Sequence, residues 1–193
     1  MTNSNEQYIY SIGYGNRTMP IFLSMLDAYH IQYLIDVRSF PFSKWQPQFN
    51  RDVLKTTVND TGRIKYGYMG DQLGGRPHDI DCYGPDGKVL YDIIRHKDYF
   101  CRGIERLVKA NTLRITTCVL CSEADPKTCH RTRLIGEALR AHGIILQHIC
   151  QDAYGHTIIK TQTQVMNEAL KGENITDLFG TTASLASVKS IKS

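Results

Sequence analysis

The chain has 193 residues, 41% of them hydrophobic, and a formal net charge of +4. This length fits one domain better than two, and the modest charge permits a polyanionic partner without requiring one. No apolar stretch approaches the roughly eighteen residues of a membrane span, and the N-terminal residues lack a secretion signal. We therefore expect a cytoplasmic protein without a membrane partner. The six cysteines lack the spacing of a disulfide framework, which indicates reduced thiols.

Strand-like and helix-like segments alternate along the chain. Hydrophobic periodicity and β-branched content predict strands, in chain order, near residues 7–13, 31–37, 63–70, 113–120, 144–150 and 156–160. Predicted helices lie between them at 18–30, 47–60 (capped near Asn50), 90–111, 130–143 and 163–172. Gly, Pro and Asp crowd residues 71–88, which predicts a long loop able to close over a site.

This alternation predicts an α/β fold. We expect a single three-layer domain over residues 1–180, with a mostly parallel central sheet flanked by helices, followed by a flexible C-terminal tail over residues 181–193. In such sheets ligands bind beyond the carboxyl ends of the strands. Polar residues follow several predicted strands, so a shared polar site is expected at that edge.

The most distinctive of these strand ends is the loop 121–131, with the sequence CSEADPKTCHR. If Cys129 begins or just precedes a helix, the backbone N–H groups and the helix dipole favour its thiolate and make it reactive. A nucleophile, a redox pair with Cys121 and a two-ligand metal clip all fit this spacing. The ordinary alternative is an Asp-Pro turn with a small buried cysteine and a polar helix start.

Among these alternatives we predict no metal site. Cys121, Cys129 and His130 lack a matching second pair of close ligands. Cys129 and His130 are adjacent, so we expect them to point to different sides of a helix. The glycine turn at Gly13 and Gly15 lacks the third glycine of a nucleotide-binding fingerprint, and the sequence leaves any cofactor open.

A second suggestive stretch, residues 36–51, interleaves cations with aromatic residues. The cations are Arg38, Lys44 and Arg51, and the aromatic residues are Phe40, Phe42, Trp45 and Phe49. Nucleic-acid bases can stack on such rings while the cations contact phosphates, or the rings can fill the core instead. Asp36 and Arg38 share one face of a strand end, where Arg can hold an anion and Asp can act as a base.

Four motifs carry a resemblance to a known family. SIGYGNR, LIDVRSFPFSKWQPQFN, LGGRP and LCSEADPKTCHRTRLIGEAL, in this order, resemble the domain-of-unknown-function family 488 over about residues 9–150. The family usually has His or Ser where this chain has Tyr14 and Gly15. The resemblance implies a compact α/β domain and supplies no established activity. The motif positions that it points to are Asn16, Arg17, Asp36, Arg38, Gly74, Gly75, Cys121, Glu123, Cys129, His130 and Arg131.

Our first functional hypothesis is an enzyme of unassigned reaction class that acts on an anionic substrate, such as a nucleotide or nucleic acid. Its predicted catalytic residues are Asp36, Cys121, Glu123 and Cys129. Its predicted substrate-binding residues are Asn16, Arg17, Arg38, His130 and Arg131. The alternatives are a nucleic-acid-binding module without chemistry and a Cys121/Cys129 redox sensor. Exposure of Trp45 favours the binding module, whereas a closed polar pocket favours the enzyme.

Overall fold

A computed structural model describes residues 7–170. The strands are β1 (Gln7–Gly13), β2 (Tyr33–Asp36), β3 (Lys65–Tyr68), β4 (Thr117–Cys121), β5 (Ile144–Gln151) and β6 (Thr157–Thr161). The helices are α1 (Met19–Asp27), α2 (Arg51–Asp60), α3 (Gly70–Leu73), α4 (Tyr91–Ile94), α5 (Asp98–Thr112), α6 (Glu137–Arg140) and α7 (Gln162–Ala169). Short 3₁₀ helices span Pro47–Phe49, Ile80–Cys82 and Pro126–Thr128, and a π-helix spans Arg131–Gly136.

The six strands form one sheet in the order β3-β2-β4-β1-β5-β6. All neighbours pair in parallel except β6, which runs antiparallel to β5 at the sheet edge. Every residue of β4, near the centre of the sheet, is buried. This pattern is typical of a parallel strand covered on both faces. The predicted mostly parallel sheet is confirmed.

Two hydrophobic clusters cover the two faces of the sheet. On one face α5 and α6 pack against β1, β2, β4 and β5 through residues such as Phe100, Ile104 and Leu139. On the other face α1 and α2 pack through residues such as Phe22 and Leu54. The three-layer α/β domain is therefore confirmed. Its expected boundary at residue 180 and the expected tail over residues 181–193 lie outside the described residues.

Two predicted helices differ in detail from the structure. The helix expected over 90–111 is two helices, α4 and α5, because the extended backbone at Lys97 (φ −76°, ψ 135°) interrupts it. The helix expected over 130–143 begins as the π-helix and continues directly into α6. Within residues 7–170, no helix is both long enough and apolar enough to cross a membrane.

The segment 71–88 is not a free loop. It begins within α3, contains the 3₁₀ helix Ile80–Cys82, and buries both Leu73 and Cys82 in the core. Leu90, just after the segment, donates a backbone hydrogen bond to the carbonyl of Cys82 (2.8 Å), and this bond holds the end of the segment next to the 3₁₀ helix. The predicted closure of this segment over a site stays a prediction.

Candidate functional site

The carboxyl ends of β2, β4 and β1 meet at one edge of the sheet. In the parallel register Gly13 lies beside Cys121, and Asp36 lies beside Leu120. Backbone hydrogen bonds extend this alignment past the strand ends, since Val37 donates to the Leu120 carbonyl (3.1 Å) and Tyr14 to the Cys121 carbonyl (3.2 Å). The residues that follow these three strands are therefore held side by side.

Four of the predicted site residues converge at this edge. His130 Nδ1 lies 3.6 Å from Cys121 Sγ and 3.8 Å from Cys129 Sγ. Glu123 Oε2 lies 2.8 Å from Cys121 Sγ and 3.5 Å from Cys129 Sγ. Both cysteines and His130 are buried, whereas Glu123 is half-buried. We call Cys121, Glu123, Cys129 and His130 the thiol cluster.

The expectation that Cys129 and His130 point to different sides of a helix is wrong. Cys129 follows the 3₁₀ helix with extended backbone (φ −97°, ψ 145°), whereas His130 directly precedes the π-helix and already has helical backbone (φ −61°, ψ −20°). The two residues do not share one helical geometry. The change of backbone direction between them brings both side chains to Cys121.

A backbone carbonyl determines the orientation of His130. His130 Nε2 lies 3.1 Å from the Val37 carbonyl oxygen, which can only accept a hydrogen bond. Nε2 must therefore carry the proton, and the lone pair of Nδ1 faces the two sulfurs when the ring is neutral. This bond also joins the thiol cluster to the end of β2.

Arg131 is fully buried beneath the thiol cluster. Its Nε donates to Cys129 Sγ (3.2 Å), and its terminal nitrogens donate to Ser11 Oγ (3.2 Å) and to the Glu123 carbonyl (2.7 Å). A guanidinium withdrawn from water needs such partners, and a thiolate next to it is strongly favoured. All these donors point into the protein, so the predicted role of Arg131 in substrate binding has no support from its orientation.

The two cysteines differ in acidity. Burial alone would raise the pKa of the Cys129 thiol, but a hydrogen bond from Cys121 and the charge of Arg131 outweigh burial and lower it well below its usual value. The pKa of Cys121 is raised, first by burial and then by the neighbouring Cys129. One thiolate is thus favoured at Cys129. The side chains of Arg131 (Nε, 3.2 Å) and Cys121 donate hydrogen bonds to this sulfur, instead of the backbone N–H groups that the sequence suggested.

Asp36 and Arg38 form a second buried group next to the thiol cluster. Arg38 Nε donates to Asp36 Oδ1 (2.8 Å) and Arg38 Nη2 to Asp36 Oδ2 (2.5 Å), while Tyr66 Oη donates to Asp36 Oδ2 (2.7 Å). Burial would lower the pKa of Arg38, but the Asp36 carboxylate outweighs it and raises that pKa. Each side chain therefore satisfies the charge of the other, and their predicted roles in base catalysis and substrate binding stay predictions.

Asn16 and Arg17 lie outside the thiol cluster, and Arg17 lines a cleft next to residues 124–127 of the loop. Asn16 is exposed, and Arg17 Nε donates to Gln151 Oε1 (2.8 Å) while its Nη1 donates to the Gly13 carbonyl. Burial lowers the pKa of Arg17. Arg17 lines an open cleft of about 270 Å³ together with Lys127 and Lys160, and also with Cys150 and Glu168. Two of these three cations are paired with carboxylates of the same cleft, Lys127 with Asp125 (3.6 Å) and Lys160 with Glu168 (2.8 Å). Arg17 is the one cation of the cleft lining without a carboxylate partner among the described residues.

The aromatic residues of segment 36–51 divide into buried and exposed groups. Phe49 is buried and stacks on Tyr14, with ring centroids 4.3 Å apart. Phe40, Phe42 and Trp45 are 62%, 69% and 92% exposed. The alternative that these rings fill the core therefore holds for Phe49 and fails for the other three.

One comparison with known proteins is informative. The family model described as "Domain of unknown function DUF488" matches residues 19–138, more than half of the chain. This chain belongs to the DUF488 family. No curated protein and no solved structure shows significant similarity to it. The family assignment confirms the resemblance over residues 19–138, which contain two of the motifs and all but the last residue of a third, whereas SIGYGNR precedes this range. It adds no activity.

Two glycines of the DUF488 motifs are explained by close approach to the site. A Cβ added at Gly75 would lie 2.7 Å from His130 Cγ, so the LGGRP backbone packs directly on the imidazole ring. A Cβ added at Gly13 would lie 1.7 Å from the Glu123 carbonyl oxygen. Both contacts are too short for any side chain, which fixes these positions as glycine.

Sequence reasoning missed a buried polar chain beneath the site of this DUF488 domain. Gln162 Nε2 donates to the Thr132 carbonyl (3.0 Å), so Gln162 Oε1 accepts from His148 Nε2 (3.1 Å). The other ring nitrogen, His148 Nδ1, then accepts from Ser11 Oγ (2.6 Å), which in turn accepts from Arg131. Ser11 inside the apolar strand β1 and His148 inside β5 were the sequence signals for this chain.

Proposed function

We propose that this protein binds single-stranded nucleic acid through the segment 39–46, which we call the aromatic loop. The observation that carries the proposal is the exposure of Trp45, at 92%, beside the exposed rings of Phe40 and Phe42. Large apolar side chains are usually withdrawn from water, and three close together on one loop indicate a surface for a partner. Flat aromatic rings are the groups on which unpaired bases stack.

The aromatic loop is held in place by hydrogen bonds at both ends and in the middle. Asn50 Oδ1 accepts from the Ser43 backbone (2.6 Å), and Ser43 Oγ accepts from the backbone of Gln46 (3.1 Å). Arg51 donates a backbone hydrogen bond to the Pro41 carbonyl (3.0 Å). The rings are thus presented on an ordered scaffold, which reduces the entropy lost when bases stack on them.

The charges around the aromatic loop suit a polyanion. Residues 37–51 contain three cations and no acidic residue. Arg38 is paired with Asp36, which leaves Lys44 and Arg51 exposed. Across residues 7–170, neither of these two cations takes part in an ion pair with a carboxylate. Lys44 is therefore available to phosphates, and Arg51 can meet one with the edge of its guanidinium, one face of which lies over the Tyr68 ring (4.0 Å to the centroid).

Trp45 is the single tryptophan of the chain, so its fluorescence reports on this loop alone. Adding a short unlabelled single-stranded oligonucleotide should quench it in a saturable way, because a stacked base quenches the indole. In a parallel anisotropy titration with a labelled oligonucleotide, Trp45→Ala should weaken binding by about 1–3 kcal/mol, roughly 5- to 150-fold.

Tyr154→Ala is the matched control, since Tyr154 is an equally exposed aromatic residue (87%) in the turn between β5 and β6. This substitution should leave the affinity unchanged. Binding weaker than about millimolar at low salt, or equal losses for both variants, would contradict the proposal. Capture of a protein instead of an oligonucleotide would assign the rings to a different partner.

The convergence of the thiol cluster favours a second candidate, the enzyme of our first hypothesis. Binding of single-stranded nucleic acid does not require two thiols, an imidazole and a carboxylate at one point, whereas catalysis often does. In this alternative Cys121, Glu123 and Cys129 handle the reaction and an anionic substrate enters from the cleft at Arg17. Mass spectrometry of oligonucleotides and nucleotides incubated with wild type and Glu123→Gln tests it, since a product made only by wild type supports catalysis.

A further inference from the structure

We propose that the thiol cluster binds a zinc ion, with Cys121 Sγ, Cys129 Sγ and His130 Nδ1 as ligands. These three atoms lie within 4.8 Å of one another. The Glu123 carboxylate lies next to these ligands, 2.8 Å from Cys121 Sγ and 3.5 Å from Cys129 Sγ. The proposal goes beyond nucleic-acid binding, because it concerns other residues and can be tested without nucleic acid.

The distances in the thiol cluster match the edges of a zinc tetrahedron. Zinc binds sulfur at about 2.3 Å and imidazole nitrogen at about 2.0–2.1 Å, so a tetrahedral S–Zn–N angle places the two ligand atoms about 3.6 Å apart. His130 Nδ1 lies 3.6 Å from one sulfur and 3.8 Å from the other. Little movement is needed for all three atoms to reach one ion.

The hydrogen bonds to the proposed ligands are of the kind that orients ligands in known zinc sites. A zinc-binding histidine usually donates its other N–H group to a carbonyl or carboxylate, which fixes the tautomer. His130 Nε2 makes this bond to the Val37 carbonyl. Arg131 Nε donates to Cys129 Sγ over 3.2 Å and so stabilises the sulfur as a thiolate. Gly75 packs on the imidazole ring and confines it.

Formal charge also favours a dication at this point. Two thiolate ligands balance one divalent cation, and Glu123 balances the buried guanidinium of Arg131, so the filled site is neutral. A neutral group is the least costly one to hold away from water. Two soft sulfur donors with one imidazole select zinc over magnesium or calcium, which prefer oxygen.

The other compact group of metal-binding side chains among the described residues does not fit as well. Asp79, Asp81 and Cys82 are also close together. However, Lys97 Nζ lies 3.2 Å from the Asp79 carboxylate and 2.7 Å from that of Asp81. A lysine already neutralises those oxygens, so this group carries no proposal.

The proposed ion would join three segments of the fold. Cys121 ends β4, Cys129 and His130 precede the π-helix, and His130 bonds the end of β2 at Val37. The aromatic loop begins two residues after Val37. We therefore expect zinc to stabilise the edge of the sheet from which that loop extends.

The first experiment measures metal in the full-length protein. Protein expressed with zinc and purified without chelator should contain about one zinc per chain by plasma mass spectrometry. After removal of the metal, cobalt chloride should give intense visible bands of a tetrahedral complex and a thiolate-to-cobalt charge-transfer band. A cobalt complex without that sulfur band, or no stoichiometric binding of zinc or cobalt, would overturn the proposal.

Variants then assign the ligands. Cys129→Ser and His130→Ala should lose stoichiometric binding, whereas Glu123→Gln should retain zinc with an affinity about 10- to 100-fold weaker. Cys101→Ser is the matched control, because Cys101 is an exposed free thiol in α5 and is not part of the thiol cluster. Zinc contents of Cys129→Ser equal to those of Cys101→Ser would refute the ligand assignment.

Alkylation of the wild type provides a readout that needs no variant. In urea just below the unfolding midpoint of the metal-free protein, where buried thiols open transiently, iodoacetamide should label Cys121 and Cys129 much more slowly with zinc bound than after chelation. The exposed Cys101 should be labelled at the same rate in both cases. Peptide mapping separates the three sites. Identical labelling of Cys121 and Cys129 with and without chelator would contradict zinc binding at these sulfurs even if a variant failed to fold.

Discussion

His130 Nε2 donates a hydrogen bond to the Val37 carbonyl over 3.1 Å and thereby joins two segments that lie 93 residues apart in the chain. Val37 follows β2 and lies between Asp36 and Arg38, whose side chains bind each other. His130 precedes the π-helix and faces Cys121 and Cys129. A single bond therefore relates the buried ion pair to the thiol cluster, although the two groups have separate partners.

Gly75→Ala should destabilise the protein by displacing the His130 ring, because the added methyl would lie 2.7 Å from Cγ. Overpacking of this kind costs about 1–3 kcal/mol in the free energy of unfolding, which urea denaturation measures. Gly84→Ala is the control, since its nearest contact would be 3.1 Å from the carboxylate of the exposed Asp86. Equal stabilities for the two variants would show that Gly75 does not confine the ring.

Asp36→Asn should cost about 3–5 kcal/mol in the free energy of unfolding, since it leaves the buried Arg38 guanidinium without its counter-charge. The double variant Asp36→Asn with Arg38→Met removes both charges and should recover a large part of that loss. Denaturation of the two variants by urea measures the difference. An Asp36→Asn protein as stable as wild type would mean that the pair contributes little to stability.

His148 should make stability depend on pH. Burial, and next the charge of Arg131, lower its pKa to about 3, whereas an unfolded histidine titrates near 6.5. In the unfolded chain His148 therefore becomes protonated below about pH 6.5, whereas in the folded protein it stays neutral down to about pH 3. The stabilising contribution is complete above pH 6.5 and decreases as the pH falls, by about 2 kcal/mol between pH 7 and pH 5.

The pH experiment compares the free energy of unfolding at pH 7 and pH 5 for wild type, His148→Gln and His142→Gln. Ser11, Gln162 and, through Ser11, Arg131 are the groups that surround His148. His148→Gln should reduce the difference between the two pH values, and the exposed His142 serves as the control. A difference that is the same in all three proteins would assign the pH dependence to other groups.

The salt dependence of oligonucleotide binding should report two phosphate contacts. Lys44 and Arg51 are exposed, whereas Arg38 is bound to Asp36, so only the first two can release counterions from a strand. The slope of log affinity against log salt should be about −1.4, and Lys44→Ala should reduce its magnitude by about 0.7. Lys109→Ala, an exposed cation on α5, should leave the slope unchanged. A flat salt dependence would exclude phosphate contacts by these residues.

Several properties of this protein could be predicted from the sequence because they depend on short-range patterns. Alternating apolar strands and amphipathic helices predicted the three-layer α/β domain, since periodicity reports which side of each element is buried. The rule that ligands lie beyond the carboxyl ends of parallel strands singled out the segments after β2 and β4. The four motifs indicated the family, which the family model confirms.

Other properties were decided by contacts between residues distant in the chain. Whether Cys129 and His130 converge depends on one extended residue, Cys129, whose backbone is set by the 3₁₀ helix before it and not by a repeating pattern. Arg38 pairs with Asp36 because both side chains are buried together, where an unpaired charge would be too costly. Trp45 is exposed while Phe49 is buried because only Phe49 reaches Tyr14 and the core beneath α1. Side-chain direction and burial depend on what packs against each residue, and that information exists only in the tertiary structure.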